Sequence, residues 1–247
     1  MLKHHKFISF CFGLLFLIVL QKFATPEPIF RFLIPAFLFY AAVVGFYNFW
    51  YLKQIQKYNF WTLLRSLMLL IAAFGIFFVL PSGNLRGLFL ILTVAIITFV
   101  EIILGAAAEN ILLNETLLIA FGLFLALFGA DYYFPSQQSF FTVGIFFSGA
   151  LLARSFYEFT PEPAKAKTVS AIVMGLFCSE LYWALNFLHF YYSSLAVFLF
   201  LVFYFCLIIN YYRIFHILNY KKIQFHLFLI LCCTVLVLLT TPWKVIQ

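Results

Sequence analysis

Charge is what this sequence has least of. Charged residues make up 9% of 247 and hydrophobic residues 66%, whereas a soluble domain carries about 25% charged and roughly 45–50% apolar residues. The mean hydropathy is +1.09. Water is therefore excluded as the solvent for most of the surface, and no hydrophilic stretch is long enough to form a soluble domain.

Acid is scarcer than base. With 8 Asp+Glu against 15 Lys+Arg, the formal net charge is +7 and the pI about 9.2. In a soluble chain that excess would suggest nucleic acid. Here the basic residues fall in short segments between apolar runs, where membrane topology demands them. The expected partner is the lipid bilayer and not nucleic acid; protein partners are left open.

The motifs of known chemistry are missing too. The five cysteines, Cys11, Cys178, Cys206, Cys232 and Cys233, form no CxxC and accompany no histidine cluster. They read as small apolar packing residues, with no metal or other cofactor expected. Phe146-Phe147-Ser148-Gly149 lacks the first glycine of the GxSG found in rhomboid-type intramembrane proteases. There is no HExxH, no DxxxD and no Walker A. His189, His216 and His226 lack the same-face repeat that would hold haem between two helices. No characterised family is recognised, and an intramembrane lipid-modifying enzyme ranks last among the functional classes.

What is present is a series of apolar runs near the ~20 residues that cross a bilayer as helix. They are continuous and not alternating, which argues against a β-barrel. Pro, Gly and charge set the breaks, giving spans at about 7–23, 29–51, 61–80, 85–108, 116–134, 139–157, 168–187, 194–212 and 225–241. The predicted fold is all-α: a polytopic integral membrane helix bundle of about nine transmembrane helices, residues 1–247 forming one transmembrane domain. The first span follows a basic start, as a signal peptide would. A cut after Ala24, however, would put Lys22 where a small residue is required, so the span reads as an uncleaved anchor.

Orientation follows from the basic residues. With nine spans and the N-terminus in the cytoplasm, only Lys22, Arg31, Arg86 and Lys244 fall on external segments; all other Lys and Arg are cytoplasmic. Merging the seventh and eighth spans would move Arg213, Lys221 and Lys222 outside. Nine spans, N-in and C-out, in a bacterial-type cytoplasmic membrane, is the expectation.

Five polar residues within or at the edge of these spans are the candidate functional positions: Glu180, Glu101, Arg65, Arg154 and Asn186. Glu180 lies ~18 Å from the inner end of its span at ~1.5 Å per residue. A charge there opposes insertion by about 2.5–3.5 kcal/mol, so Glu180 is expected to face protein or trapped water. At 100° per residue, Cys178, Tyr182, Asn186 and His189 share one stripe and Glu180 lies nearly opposite. Glu101 is the second membrane acid, which a pair with Arg65 or Arg154 would satisfy; the preferred reading of each arginine is that it snorkels to the inner headgroups. Glu109 and Glu115 read as flanks of a solvated cytoplasmic bend, and Asp131 as an external interface residue.

These residues make a small permease or carrier, using an intramembrane carboxylate for a proton, cation or polar solute, the leading functional reading. The alternative is a non-catalytic structural or accessory subunit whose polar residues hold helices together.

Overall fold

Asparagine opens two of the helices. Asn59 precedes Phe60–Val79, and its side chain accepts from the Trp61 N–H at 2.9 Å. Asn219 precedes Tyr220–Thr240 and accepts from the Lys221 N–H at 3.1 Å. Each contact satisfies one of the N–H groups that a helix start leaves without a partner. Pro163, extended in backbone, stands immediately before Ala164–Leu185, where its missing N–H costs nothing.

The structure is a computed structural model, and it describes residues 2–23, 30–54, 59–80, 87–89, 91–93, 95–96, 98, 109–134, 137–188, 190–215 and 219–241. These residues contain no strand. The helices are α1 Leu2–Phe23, α2 Phe30–Gln54, α3 Phe60–Val79, α4 Glu109–Tyr133, α5 Gln138–Tyr157, α6 Ala164–Leu185, α7 Tyr192–Ile214 and α8 Tyr220–Thr240. The seven from α2 to α8 are long and apolar enough to cross a membrane, and α1 carries the shorter apolar stretch Phe7–Ile18. The chain is thus a multi-pass helical protein of membrane type. The fourth expected span, 85–108, falls largely outside the described residues.

Four helices begin well before the apolar runs, the first being α1, at Leu2 instead of Phe7. Helix α4 starts at Glu109 instead of Thr116, α6 at Ala164 instead of Thr168, and α8 at Tyr220 instead of Phe225. An apolar run marks where hydrocarbon begins, whereas a helix continues through Lys and Glu, which are good helix formers. The expected bend at 109–115 is therefore helix.

The chain divides inside α4 into two compact units, Met1–Glu115 and Thr116–Gln247. In the first, Tyr40 of α2 donates its hydroxyl to the Phe12 carbonyl of α1 at 3.0 Å. The Phe37 and Phe74 rings stack at 4.1 Å between α2 and α3, and Asn48 Nδ2 donates to Ser66 Oγ at 3.0 Å.

In the second unit, α5 and α6 make the closest approach. A Cβ on Gly175 would lie 2.6 Å from the Phe146 carbonyl oxygen and 2.8 Å from Ala150 Cβ. Gly149 faces Cys178 in the same seam, where an added Cβ would stand 3.2 Å from that residue's Cβ and Sγ. Small residues let helix backbones meet where no hydrophobic force drives them together. Rings fill the wider gaps, with Phe124 against Phe203 at 5.5 Å and Phe128 against Tyr182 at 4.7 Å.

Helix α8 is the extreme case. None of its 21 residues is buried, and Leu239 is 81% exposed. A helix so apolar along most of its length and so little covered by its own chain suits hydrocarbon, not water.

Candidate functional site

Buried charge within the apolar helices is the feature that needs explaining. Arg65 lies in the second turn of α3 and is almost fully enclosed. Its Nη1 stands 3.9 Å from Glu115 Oε2, with the two side chains 1% and 8% exposed. At that distance the contact is an ion pair and not a hydrogen bond. Glu115 Oε1 has no hydrogen-bond partner among the described residues. Beside the pair, Asn48 reaches Ser66, the neighbour of Arg65, so α2, α3 and the first turns of α4 converge on one polar cluster.

The backbone explains why these groups meet. Thr62, Arg65, Ser66, Leu69 and Ala73 are buried on α3, and Leu112, Glu115, Thr116, Ile119 and Leu123 on α4. Each set recurs at three- and four-residue spacing, which makes one face of a helix. Arg65 and Glu115 occupy positions where the pattern otherwise asks for apolar or small residues. Both sit near the starts of their helices, so these two starts lie at the same level of the first unit.

This arrangement corrects one expectation. Glu115 is not a solvated turn residue; it is buried in a helix and paired. Among the described residues Arg65 pairs with Glu115, and Arg154 with Glu158 just past the end of α5 at 2.6 Å. Glu101 itself lies outside the described residues.

Of the two settings expected for Glu180, protein or trapped water, the described residues of this chain do not supply the first. It is exposed on α6, between exposed Phe177 and Trp183. The buried side of α6 carries Ala171, Met174, Gly175, Cys178, Ser179, Tyr182 and Leu185, and helical phase sets Glu180 opposite most of them.

Asn186, just past the end of α6, belongs to a second cluster. Its Nδ2 donates to Asp131 Oδ2 at 3.2 Å, and the Tyr182 hydroxyl donates to the same oxygen at 2.7 Å. Asp131 is thus engaged between helices. Next to it, the Tyr132 ring lies 5.6 Å from Tyr191 and 5.4 Å from Tyr192.

The opposite end of the second unit is basic. Asn210 Nδ2 donates to the Tyr157 hydroxyl at 3.0 Å, bringing the ends of α5 and α7 together. Lys167 donates to the Glu158 carbonyl at 3.1 Å. His226 of α8 is held at both ring nitrogens, Nδ1 by the Tyr204 hydroxyl at 2.7 Å and Nε2 by that of Tyr212 at 2.9 Å. Every described Lys and Arg of the second unit lies at or near this end, and the tyrosine-rich end has none.

Sequence reasoning missed Glu115 and the histidine bridge. For Glu115 a signal existed: the apolar period of α4 extends back through it to Leu112. For His226, nothing local to α8 points to two tyrosines on α7. Among the described residues, no three His, Cys, Asp or Glu side chains gather as a metal site. Comparison with known proteins gives no match to a family model, a curated protein or a solved structure.

Proposed function

We propose that this protein is a small membrane carrier in which Glu115, countered by Arg65, takes up and releases a proton or small cation during transport. The observation that carries this reading is the Arg65–Glu115 pair, buried in apolar helices with one carboxylate oxygen lacking a hydrogen-bond partner among the described residues. Ionisable groups inside membranes are costly and are typical of ion and proton pathways. Their 3.9 Å separation leaves the carboxylate able to accept a proton or a cation without breaking a direct hydrogen bond to the guanidinium. On this reading the chain sits N-in in a bacterial-type cytoplasmic membrane. Glu180, Glu101, Arg154 and Asn186 then play no direct part in the coupling.

The test is proton flux into proteoliposomes under an imposed pH gradient, read with an entrapped pH dye. Wild-type protein is expected to carry flux, and Glu115→Gln to remove it while eluting as a folded species. Flux unchanged in folded Glu115→Gln, or no wild-type flux with protons or small monovalent cations, would sink the proposal.

The accessory-subunit reading has one observation in its favour. The contacts Asp131–Tyr182, Asn210–Tyr157 and Ser194–Thr241, the last at 2.8 Å, all join one helix to another. Polar groups used that way hold a bundle together without transporting anything. The same flux experiment separates the two readings.

A further inference from the structure

At the basic end of the second unit, Pro161, Glu162, Arg213 and Ile214 line an open cavity of about 420 Å³. Two of these four residues carry opposite charges. Among the described residues the ion pairs are Arg65–Glu115 and Arg154–Glu158, so Glu162 and Arg213 are paired neither with each other nor with another described group. Opposite charges that share a cavity without neutralising one another leave space for a ligand that carries both.

The position narrows the ligand. Arg213 is the penultimate residue of α7, directly after Tyr211 and Tyr212. Glu162 lies in the short connection between α5 and α6. Tyrosine and basic side chains gather at the boundary between hydrocarbon and water, and this is the end with all the unit's described Lys and Arg. A guanidinium recognises phosphate by paired N–H donors, and a carboxylate accepts from a primary ammonium. The volume is within the roughly 300–1,000 Å³ of small-molecule sites.

We propose that this cavity binds a zwitterionic headgroup, its phosphate on Arg213 and its primary ammonium on Glu162. The chemistry is that of phosphoethanolamine, either as the headgroup of a membrane lipid or as the free molecule. The proposal does not depend on the carrier reading.

The experiment uses the full chain in nanodiscs holding equal parts phosphatidylethanolamine, phosphatidylcholine and phosphatidylglycerol, with retained lipid measured by mass spectrometry after extraction into detergent. Phosphatidylethanolamine is expected to be enriched over both others. Glu162→Gln should remove its advantage over phosphatidylglycerol, and Arg213→Gln should lower retention of both by about tenfold, the scale of one lost charge-assisted hydrogen bond. Displacement by free O-phosphoethanolamine would assign the site to the headgroup alone; retention against it would assign the site to the intact lipid. Equal retention of all three lipids by the wild type overturns the proposal. So does ethanolamine enrichment that survives both substitutions.

Discussion

The Tyr182 hydroxyl donates to Asp131 at 2.7 Å, and Asn186 donates to the same carboxylate oxygen from one turn further along the chain. The contact ties the end of α4 to the end of α6, with the Phe128 ring packed against Tyr182 just beneath it. An acid at an apolar boundary is thereby given donors by a neighbouring helix. Tyr182→Phe should lower stability by about 1–3 kcal/mol, the cost of leaving an acceptor short of its partner. Asp131→Asn, which keeps an acceptor, should cost less. Thermal unfolding in detergent measures both, and equal midpoints for wild type and Tyr182→Phe would contradict the account.

Close approach of α5 and α6 makes a sharper claim. Gly175→Ala puts a methyl group 2.6 Å from a backbone oxygen and 2.8 Å from Ala150 Cβ, neither of which moves as a side-chain tip would. Overpacking of this kind costs about 1–3 kcal/mol. Gly87→Ala, with no atom of the described residues within 4 Å of the new Cβ, should leave the midpoint in place. The pair of substitutions therefore separates loss of glycine from loss of space.

The buried ion pair should behave non-additively. Removing one partner, by Arg65→Met or Glu115→Leu, strands a buried charge and should cost about 3–5 kcal/mol. Removing both should cost much less than the two single changes combined. A double-mutant cycle on detergent-solubilised protein reads the coupling. Additive costs would mean that the 3.9 Å contact carries no interaction.

Helix α8 should depend on His226. With no buried residues of its own, it is held at one end by hydrogen bonds to Tyr204 and Tyr212 and at the other by Ser194–Thr241. His226→Phe should speed amide exchange through the first half of α8 while leaving α5 and α6 protected. Exchange unchanged at 220–230 would show that the histidine bridge does not hold the helix.

Orientation can be checked independently. Lys165→Cys, at an exposed position beside the start of α6, should react with a membrane-impermeant maleimide only after the membrane is opened. Gln137→Cys, exposed before α5, should react in intact cells. The reverse result would turn the chain over.

Much of this architecture was legible because each signal is local. The break expected between residues 187 and 194 does separate α6 from α7. The stripe Cys178–Tyr182–Asn186 was legible from helical phase, and Cys178 and Tyr182 are indeed buried on it. Glu109 and Glu115 misled because two acids and two asparagines between apolar runs resemble a turn. In the folded chain they are the first two turns of α4.

The candidate site was less legible for the same reason. Glu180 drew attention as an acid far from any basic residue in sequence, yet it stands exposed on its helix, while Glu115, closer to the end of an apolar run, is enclosed. Depth along a helix can be counted from sequence; which side of that helix faces another cannot.

The sequence by itself determined the solvent and the secondary structure. Apolar runs of about 20 residues favour helix wherever water is absent, because backbone polar groups must then be satisfied within the segment. In the second unit the described Lys and Arg all mark one end, in keeping with the gathering of basic residues on one side of a membrane. Only the tertiary structure decided the partners: Arg65 with Glu115, Tyr182 with Asp131, His226 with two tyrosines. Between helices no hydrophobic force chooses a neighbour in lipid, so pairing rests on the fit of small residues such as Gly149 and Gly175 and on single polar contacts. Those are properties of two surfaces brought together, and no one segment encodes them.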